Sequence, residues 1–159
     1  MELAVFDRFT SGLDYPMFVV TVPGSGCLVG FTTQCSIDPP RFLVCLSKAN
    51  HTYRAARNAL AMAVHRLGPD DHDLAALFGA ETGDEIDKFA HCDWRPGPHG
   101  VPLLERCPAW LVGEIDLRVD LGDHEGHLLR PIEVSPGTAA APLMFTAVNY
   151  LDAGHDAQG

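Results

Sequence analysis

The most constraining feature of this chain is a rhythm of short apolar runs, each closed by residues that turn the backbone. Met17-Phe18-Val19-Val20-Thr21-Val22 is β-branched and aromatic and stops at Pro23-Gly24-Ser25-Gly26. It is too short for a typical helix and suits a strand. Cys27-Leu28-Val29-Gly30-Phe31-Thr32 returns as the second arm of a hairpin. Asp38-Pro39-Pro40 resets the direction, and Phe42-Leu43-Val44-Cys45-Leu46 follows without a polar break, the pattern of a strand covered on both faces.

The same rhythm resumes later. Ala61–His65, Trp110–Val119 and His127–Val134 read as strands, and Leu143–Val148 reads as the last one. Pro131 within the third of these implies an edge position or a bulge. Between strands, the spacing of apolar residues predicts short helices over 2–9, 53–60 and from Asp71 or Asp73 to Phe78. Asn50 or Thr52 can cap the second helix, and Gly79 is expected to stop the third in a left-handed conformation. Residues 81–90 are polar apart from Ile86 and Phe89, and Pro96–Pro102 reads as an irregular surface excursion. Six or seven hairpin-connected strands with inserted helices predict a mainly β domain, an antiparallel barrel whose ends the helices cover.

At 159 residues the chain has the length of one domain, 1–159, with a core of its own. The formal net charge of −10 argues against nucleic acid, since no basic stripe is present to neutralise phosphates. No apolar stretch approaches the ~20 residues of a membrane helix, and residues 1–9 lack the features of a signal peptide. The five cysteines are scattered and odd in number, which fits reduced thiols in the cytoplasm better than a disulfide framework.

Chemistry is concentrated in three polar segments at strand ends. Thr32-Thr33-Gln34-Cys35-Ser36 packs hydroxyl and amide groups between two apolar runs, offering donors to a phosphate or a heteroaromatic ring edge, or forming a solvated loop. Ser47, Lys48, Asn50, His51 and Thr52 stand at a predicted helix start, where free N–H groups favour a phosphate and ordinary capping is the alternative. His124 follows Asp123 in a turn, as an oriented or a merely solvated imidazole. No set of His, Cys, Asp or Glu has metal-ligand spacing, and no Gly-x-Ser-x-Gly elbow or Walker loop is present.

The order of these pieces resembles the flavin reductase-like, FMN-binding split-barrel family. The resemblance is carried by Val19-Val20-Thr21, the run from Gly30 to Pro40, Ser47-Lys48-Ala49-Asn50-His51-Thr52, Leu74-Ala75-Ala76-Leu77-Phe78-Gly79, Asp87-Lys88-Phe89 with Trp94, Gly122-Asp123-His124 and Pro142-Leu143. It spans about residues 10–150. It implies a Greek-key-like antiparallel split barrel and a homodimer with flavin at a barrel rim near the subunit interface. FMN is the expected cofactor, with FAD possible, and NAD(P)H the hydride donor. By resemblance, Thr32, Thr33, Gln34, Cys35 and Ser36 line the isoalloxazine and ribityl chain, while Ser47, Lys48, Asn50, His51 and Thr52 hold the phosphate. Phe78, Gly79, Lys88 and Phe89 close over the cofactor, and His124 lies near the nicotinamide. The implied activity is an NAD(P)H-dependent flavin reductase that supplies a monooxygenase. The alternatives are an FMN-binding electron carrier without nicotinamide activity and a cofactor-free β-barrel interaction domain.

Overall fold

The computed structural model describes residues 1–79, 87–138 and 140–151. Nine strands and three α-helices are found among them. Helix α1 (Leu3–Thr10) precedes β1 (Phe18–Val22), β2 (Ser25–Val29), β3 (Thr32–Ser36) and β4 (Arg41–Ser47). Helix α2 (His51–Ala56), β5 (Ala61–Arg66) and α3 (His72–Gly79) follow. After them come β6 (Trp94–Pro96), β7 (Pro102–Leu104), β8 (Ala109–Asp120) and β9 (His124–Pro136).

Seven strands form one antiparallel sheet in the order β2-β1-β5-β8-β9-β4-β3. Its two edge strands, β2 and β3, are neighbours in sequence. Laid flat, seven strands would put those edges ~29 Å apart at ~4.8 Å per step. Gly30 and Phe31, the two residues between them, can span only ~11 Å. The sheet must therefore curl until its edges face each other, which makes an incompletely closed barrel. The Cys45 N–H donates to the Phe31 carbonyl (2.9 Å) and pins the link to β4.

Inside the curl, Val20, Val22, Cys27, Val29, Val44, Leu46, Met62 and Leu129 are buried together with Tyr53 and Ala56 of α2. A second cluster joins Met17, Val19 and Leu67 to α3 through Leu74, Ala75 and Phe78. Each Val, Leu, Met or Phe among them contributes ~1.5–3 kcal/mol through its removal from water. Gly79 ends α3 without a left-handed φ, contrary to expectation; a Cβ there would stand 2.6 Å from Leu28. Close packing of α3 on β2 is what requires glycine at this position.

Other expectations are corrected. The polar segment 32–36 is itself a strand, exposed on the sheet edge and paired with β4, and it bulges between Gln34 and Ser36. The excursion over Pro96–Pro102 holds only a 3₁₀ turn (Pro98–Gly100) and links β6 to β7, a pair that flanks it with Pro96 opposite Pro102. Residues 143–148 are not a strand: one bridge joins Pro16 to Met144, and Phe145–Ala147 is a 3₁₀ turn. The predicted helix over 53–60 is α2, shorter and starting earlier. Residues 80–86, including Ile86, lie outside the described residues. Pro131 stands where the β8–β9 register shifts, beyond the part of β9 that pairs with β4. It occupies a bulge with no β4 neighbour, so its missing N–H costs no ladder bond on that side.

His65, expected at a strand end, is fully buried in β5. Its Nδ1–H donates to the Val19 carbonyl (2.9 Å), and its Nε2 accepts the Leu104 N–H (3.0 Å). The Leu104 donor fixes the tautomer. Burial pushes the imidazole pKa down to about 4. This ring joins the large sheet to the small β6–β7 ribbon.

Candidate functional site

A cleft of about 180 Å³ opens at the rim where β2, β4 and β9 end. Its walls include Cys27, Leu28, Gly30 and Phe31 from the closing seam, Leu46 and Ser47 at the end of β4, Asn50 just after it, and His124 at the start of β9. Tyr15, Met17 and Phe145 line it as well. Register explains part of this convergence, since Ser47 is the direct partner of His124 across β4 and β9. A strand end, a helix cap and a turn are thereby brought to one place.

The chain turns from β4 into α2 around Asn50, whose Oδ1 accepts the Thr52 N–H (2.8 Å). Ser47 Oγ accepts the Ala49 N–H (3.3 Å). Lys48 is tied twice to the opposite loop: its N–H donates to the Asp123 carbonyl (2.9 Å), and its ammonium to Asp120 Oδ1 (2.6 Å). The Asp120 hydrogen bond raises the lysine pKa and lowers that of the carboxyl. The pair is exposed, so solvent screens it and a ligand anion can compete for the ammonium. His51 Nδ1 and the buried Thr52 hydroxyl each lie 2.8 Å from Ser25 Oγ, which fastens α2 to β2.

His124 is about one-quarter exposed, with Nδ1 2.7 Å from Asp123 Oδ1. That hydrogen bond holds the Asp123 carboxyl below its usual range. Among the described residues Nε2 has no such partner. Phe31 lies against the ring at 5.0 Å between centroids.

Ser47, Asn50 and His124, all singled out from the sequence, thus share the cleft. Thr32, Thr33, Gln34, Cys35 and Ser36 lie on β3 just past its Phe31 wall. Among the described residues the outer edge of β3 pairs with no strand, so alternate N–H and C=O groups face outward there. Phe78, Gly79, Lys88 and Phe89 do not line the cleft. Lys88 is buried, and its ammonium donates to the carbonyls of Phe78 (2.9 Å) and Gly26 (3.3 Å). It anchors the end of α3 behind Leu28.

Sequence reasoning missed Tyr15 and Phe145, whose rings stack at 4.8 Å. No local signal joins residues so far apart. Phe31 directly precedes the polar run Thr32–Ser36, and nothing in the sequence marks its ring as a wall. A larger hollow of about 420 Å³ lies between α3, His91-Cys92-Asp93 and Arg106. Its arginine is already paired with Asp71 (2.8 Å) and Asp73 (2.5 Å).

The model of the flavin reductase like domain matches residues 10–154. This chain belongs to that family. The family match takes in the seam, the cleft and the segment carrying Phe145. Among curated relatives, FMN reductase (NADH) RutF of Pseudomonas syringae is 28% identical over 153 residues, covering 94% of this chain and 85% of its own length. The reductase subunit HsaB of a flavin-dependent monooxygenase from Mycobacterium tuberculosis is 29% identical, with 92% and 78% covered. A crystal structure of a flavin reductase domain protein from Arthrobacter sp. FB24 superposes with a TM-score of 0.81 at 24% identity, covering 99% of this chain and 96% of that one. That likeness establishes the split-barrel fold.

Proposed function

We propose that this flavin reductase family member is an NAD(P)H:flavin oxidoreductase that holds FMN, or the larger FAD, and supplies reduced flavin to a monooxygenase. The observation that carries the reading is the cleft at the barrel seam, where Ser47, Asn50 and His124 converge beside the open edge of β3. The relatives named for FMN reduction and for a monooxygenase reductase subunit support it.

The residues present fit a flavin mononucleotide. An unpaired strand edge can meet the hydrogen-bonding rim of a heteroaromatic ring, and Thr32 to Ser36 provide that edge. Ser47, Lys48, Asn50, His51 and Thr52 stand where a phosphate would be held, Lys48 exchanging its contact with Asp120 for the ligand charge. Phe78, Gly79, Lys88 and Phe89 act from behind, fixing α3 and Leu28 so that the cleft keeps its shape. Once bound, flavin supplies the hydride chemistry, which explains why no acid–base dyad is required of the protein. The protein orients the donor. His124, held at Nδ1 by Asp123, presents a fixed polar ring at the cleft wall.

We further propose that the working unit is one domain and a homodimer. Helix α1 buries none of its residues, leaving Leu3, Phe6 and Phe9 exposed, and Leu117, Val119 and Leu121 near the β8–β9 turn are exposed too. A second copy of the chain could cover such surface. No helix among the described residues is long and apolar enough to cross a membrane. A cytoplasmic location is supported by the five free cysteines.

The deciding experiment is anaerobic mixing of FMN-loaded protein with NADH and then NADPH while flavin absorbance is followed. Rapid bleaching names the donor. Tight FMN binding without bleaching by either nucleotide would refute the reductase activity and leave an FMN-binding electron carrier.

A further inference from the structure

Strand β9 carries polar side chains on both of its faces. His124 stands opposite Ser47 at the cleft, while Glu125 and His127 stand opposite Leu46 and Val44. Paired residues share a face of the sheet. Leu46 and Val44 belong to the core with Tyr53 of α2, so Glu125 and His127 point into the barrel beneath that helix. His127 is wholly enclosed. Its Nδ1 lies 3.4 Å from the Val44 carbonyl and its Nε2 3.0 Å from Glu125 Oε1. Both neighbours are acceptors. A neutral imidazole has one N–H and can serve only one of them, whereas the imidazolium serves both. His65 is the contrast: it faces one acceptor and one donor and is complete when neutral. Among the described residues neither His127 Nε2 nor Glu125 Oε1 makes an aligned hydrogen bond, and buried polar atoms left so call for a reason.

The charges around the pair set when the second proton arrives. Arg118 of β8 stands opposite His127 and donates to the Ala56 and Ala59 carbonyls at the end of α2. Asp120 stands opposite Glu125 and holds the Lys48 ammonium. On the α2 side, Arg57 lies over the Tyr53 ring (5.0 Å), and the Glu125 carboxylate is within electrostatic reach of both Arg57 and Lys48. Strand β4 faces the pair with apolar Val44 and Leu46. Cys27, in the same core, is a neutral thiol whose pKa burial pushes up to about 11. Burial also drives the His127 pKa below its ordinary 6.5, Glu125 opposing the shift and Arg118 adding to it. Glu125 thus leans on Lys48 for compensation while His127 is neutral. Resting on the reading of Ser47 to Thr52 as the FMN phosphate site, we infer that the Glu125–His127 pair couples flavin binding to a proton. When the phosphate takes over the Lys48 ammonium, His127 takes up a proton from solvent and becomes the cation that Glu125 has lost. It returns the proton when the flavin leaves.

A ring whose pKa rises on binding strengthens binding as pH falls through the bound value, with the full gain standing below the free value. For a ~10-fold rise in proton affinity the gain is ~5-fold in FMN dissociation constant at pH 6 and vanishes at pH 8, with ~0.5 proton taken up near pH 6.5. The test is calorimetric titration of FMN, and separately of riboflavin, in buffers of different ionisation enthalpy, comparing wild type with His127→Gln. The ester phosphate itself titrates near pH 6, equally in both proteins. Wild type should therefore take up ~0.5 proton more per FMN than the variant at pH 6.5, and bind FMN ~5-fold more tightly at pH 6 but equally at pH 8. Riboflavin should show no difference in uptake between the two. Should the variant fail to fold, a nuclear magnetic resonance titration of the His127 ring in wild type reads the same coupling, its pKa rising with FMN and holding with riboflavin. Equal proton uptake by wild type and variant, a ring pKa indifferent to FMN, or a riboflavin effect as large as that of FMN would overturn the coupling. Wild-type protein that binds riboflavin as tightly as FMN would instead overturn the phosphate reading on which it rests.

Discussion

Replacing His65 by glutamine should change how stability depends on pH, by an amount the buried ring sets. Neutral His65 bridges the Val19 carbonyl and the Leu104 N–H inside the protein. Burial, which penalises the charged ring, holds the folded-state pKa at about 4 against an ordinary 6.5, and protonation would also place a second N–H against the Leu104 donor. A histidine whose pKa is depressed on folding stabilises fully above ~6.5, and that stability is lost as pH falls toward the folded value. At ~1.4 kcal/mol per tenfold change in proton affinity, the complete loss is ~3 kcal/mol, and linkage puts ~2 kcal/mol of it between pH 7 and pH 5. Urea unfolding at both pH values measures it. At pH 7 the glutamine variant should be less stable by ~2 kcal/mol through lost buried hydrogen bonds. At pH 5 the difference should shrink by ~2 kcal/mol, because only the wild type has lost this term. His127, also depressed by burial, is common to both proteins and cancels. A stability difference that stays constant or widens between pH 7 and pH 5 would refute the assignment of His65 as a neutral bridge.

Other perturbations test the site and the core. Lys48→Ala should weaken FMN ~10-fold and riboflavin less than ~2-fold; fluorescence titration with both ligands reads the phosphate contact, and equal losses would remove it. His124→Gln should slow NADH oxidation ~10-fold in stopped-flow assays while FMN affinity changes little, a variant that only loses flavin contradicting its place beside the donor. Gly30→Ala puts a methyl into the Tyr15 ring, so near-ultraviolet circular dichroism should change and KM for NADH should rise several-fold while the far-ultraviolet spectrum is kept. Leu129→Ala should cost ~3 kcal/mol in urea unfolding, its side chain being wholly enclosed by the barrel core.

The barrel was legible wherever burial imposed a hydrophobic pattern. Strands β1 and β5 are buried on both faces and show it as nearly continuous apolar runs, whereas β4, expected to be covered on both faces, buries only Val44 and Leu46 and leaves Phe42, Leu43 and Cys45 half-buried. Strand β3 is exposed over most of its length, so no pattern marks it, and pairing with β4 alone makes it a strand. Prolines concealed β6 and β7, because a two-stranded ribbon tolerates them where no ladder bond is asked of their nitrogen. Apolar content at Leu143–Val148 suggested a strand, yet Asp14, Tyr15 and Met17 bond that segment into a tie and a turn. Ser47, Asn50 and His124 could be named from sequence because each lies in a polar strand end. The aromatic wall could not, since its members are assembled by long-range hydrogen bonds with no local trace.

The two-residue link between β2 and β3 also separates two properties that usually change together. Lengthening a loop costs a fold little, ~0.6 kcal/mol for each doubling. A few residues inserted between Gly30 and Phe31 would therefore leave the strand order intact. They would also slacken the edge-to-edge closure that gives the rim its spacing, moving Phe31 away from Tyr15 and His124. Natural or engineered chains with a longer link here should keep their melting temperature while taking wider ligands, so the length of one connection tunes the breadth of what this scaffold accepts.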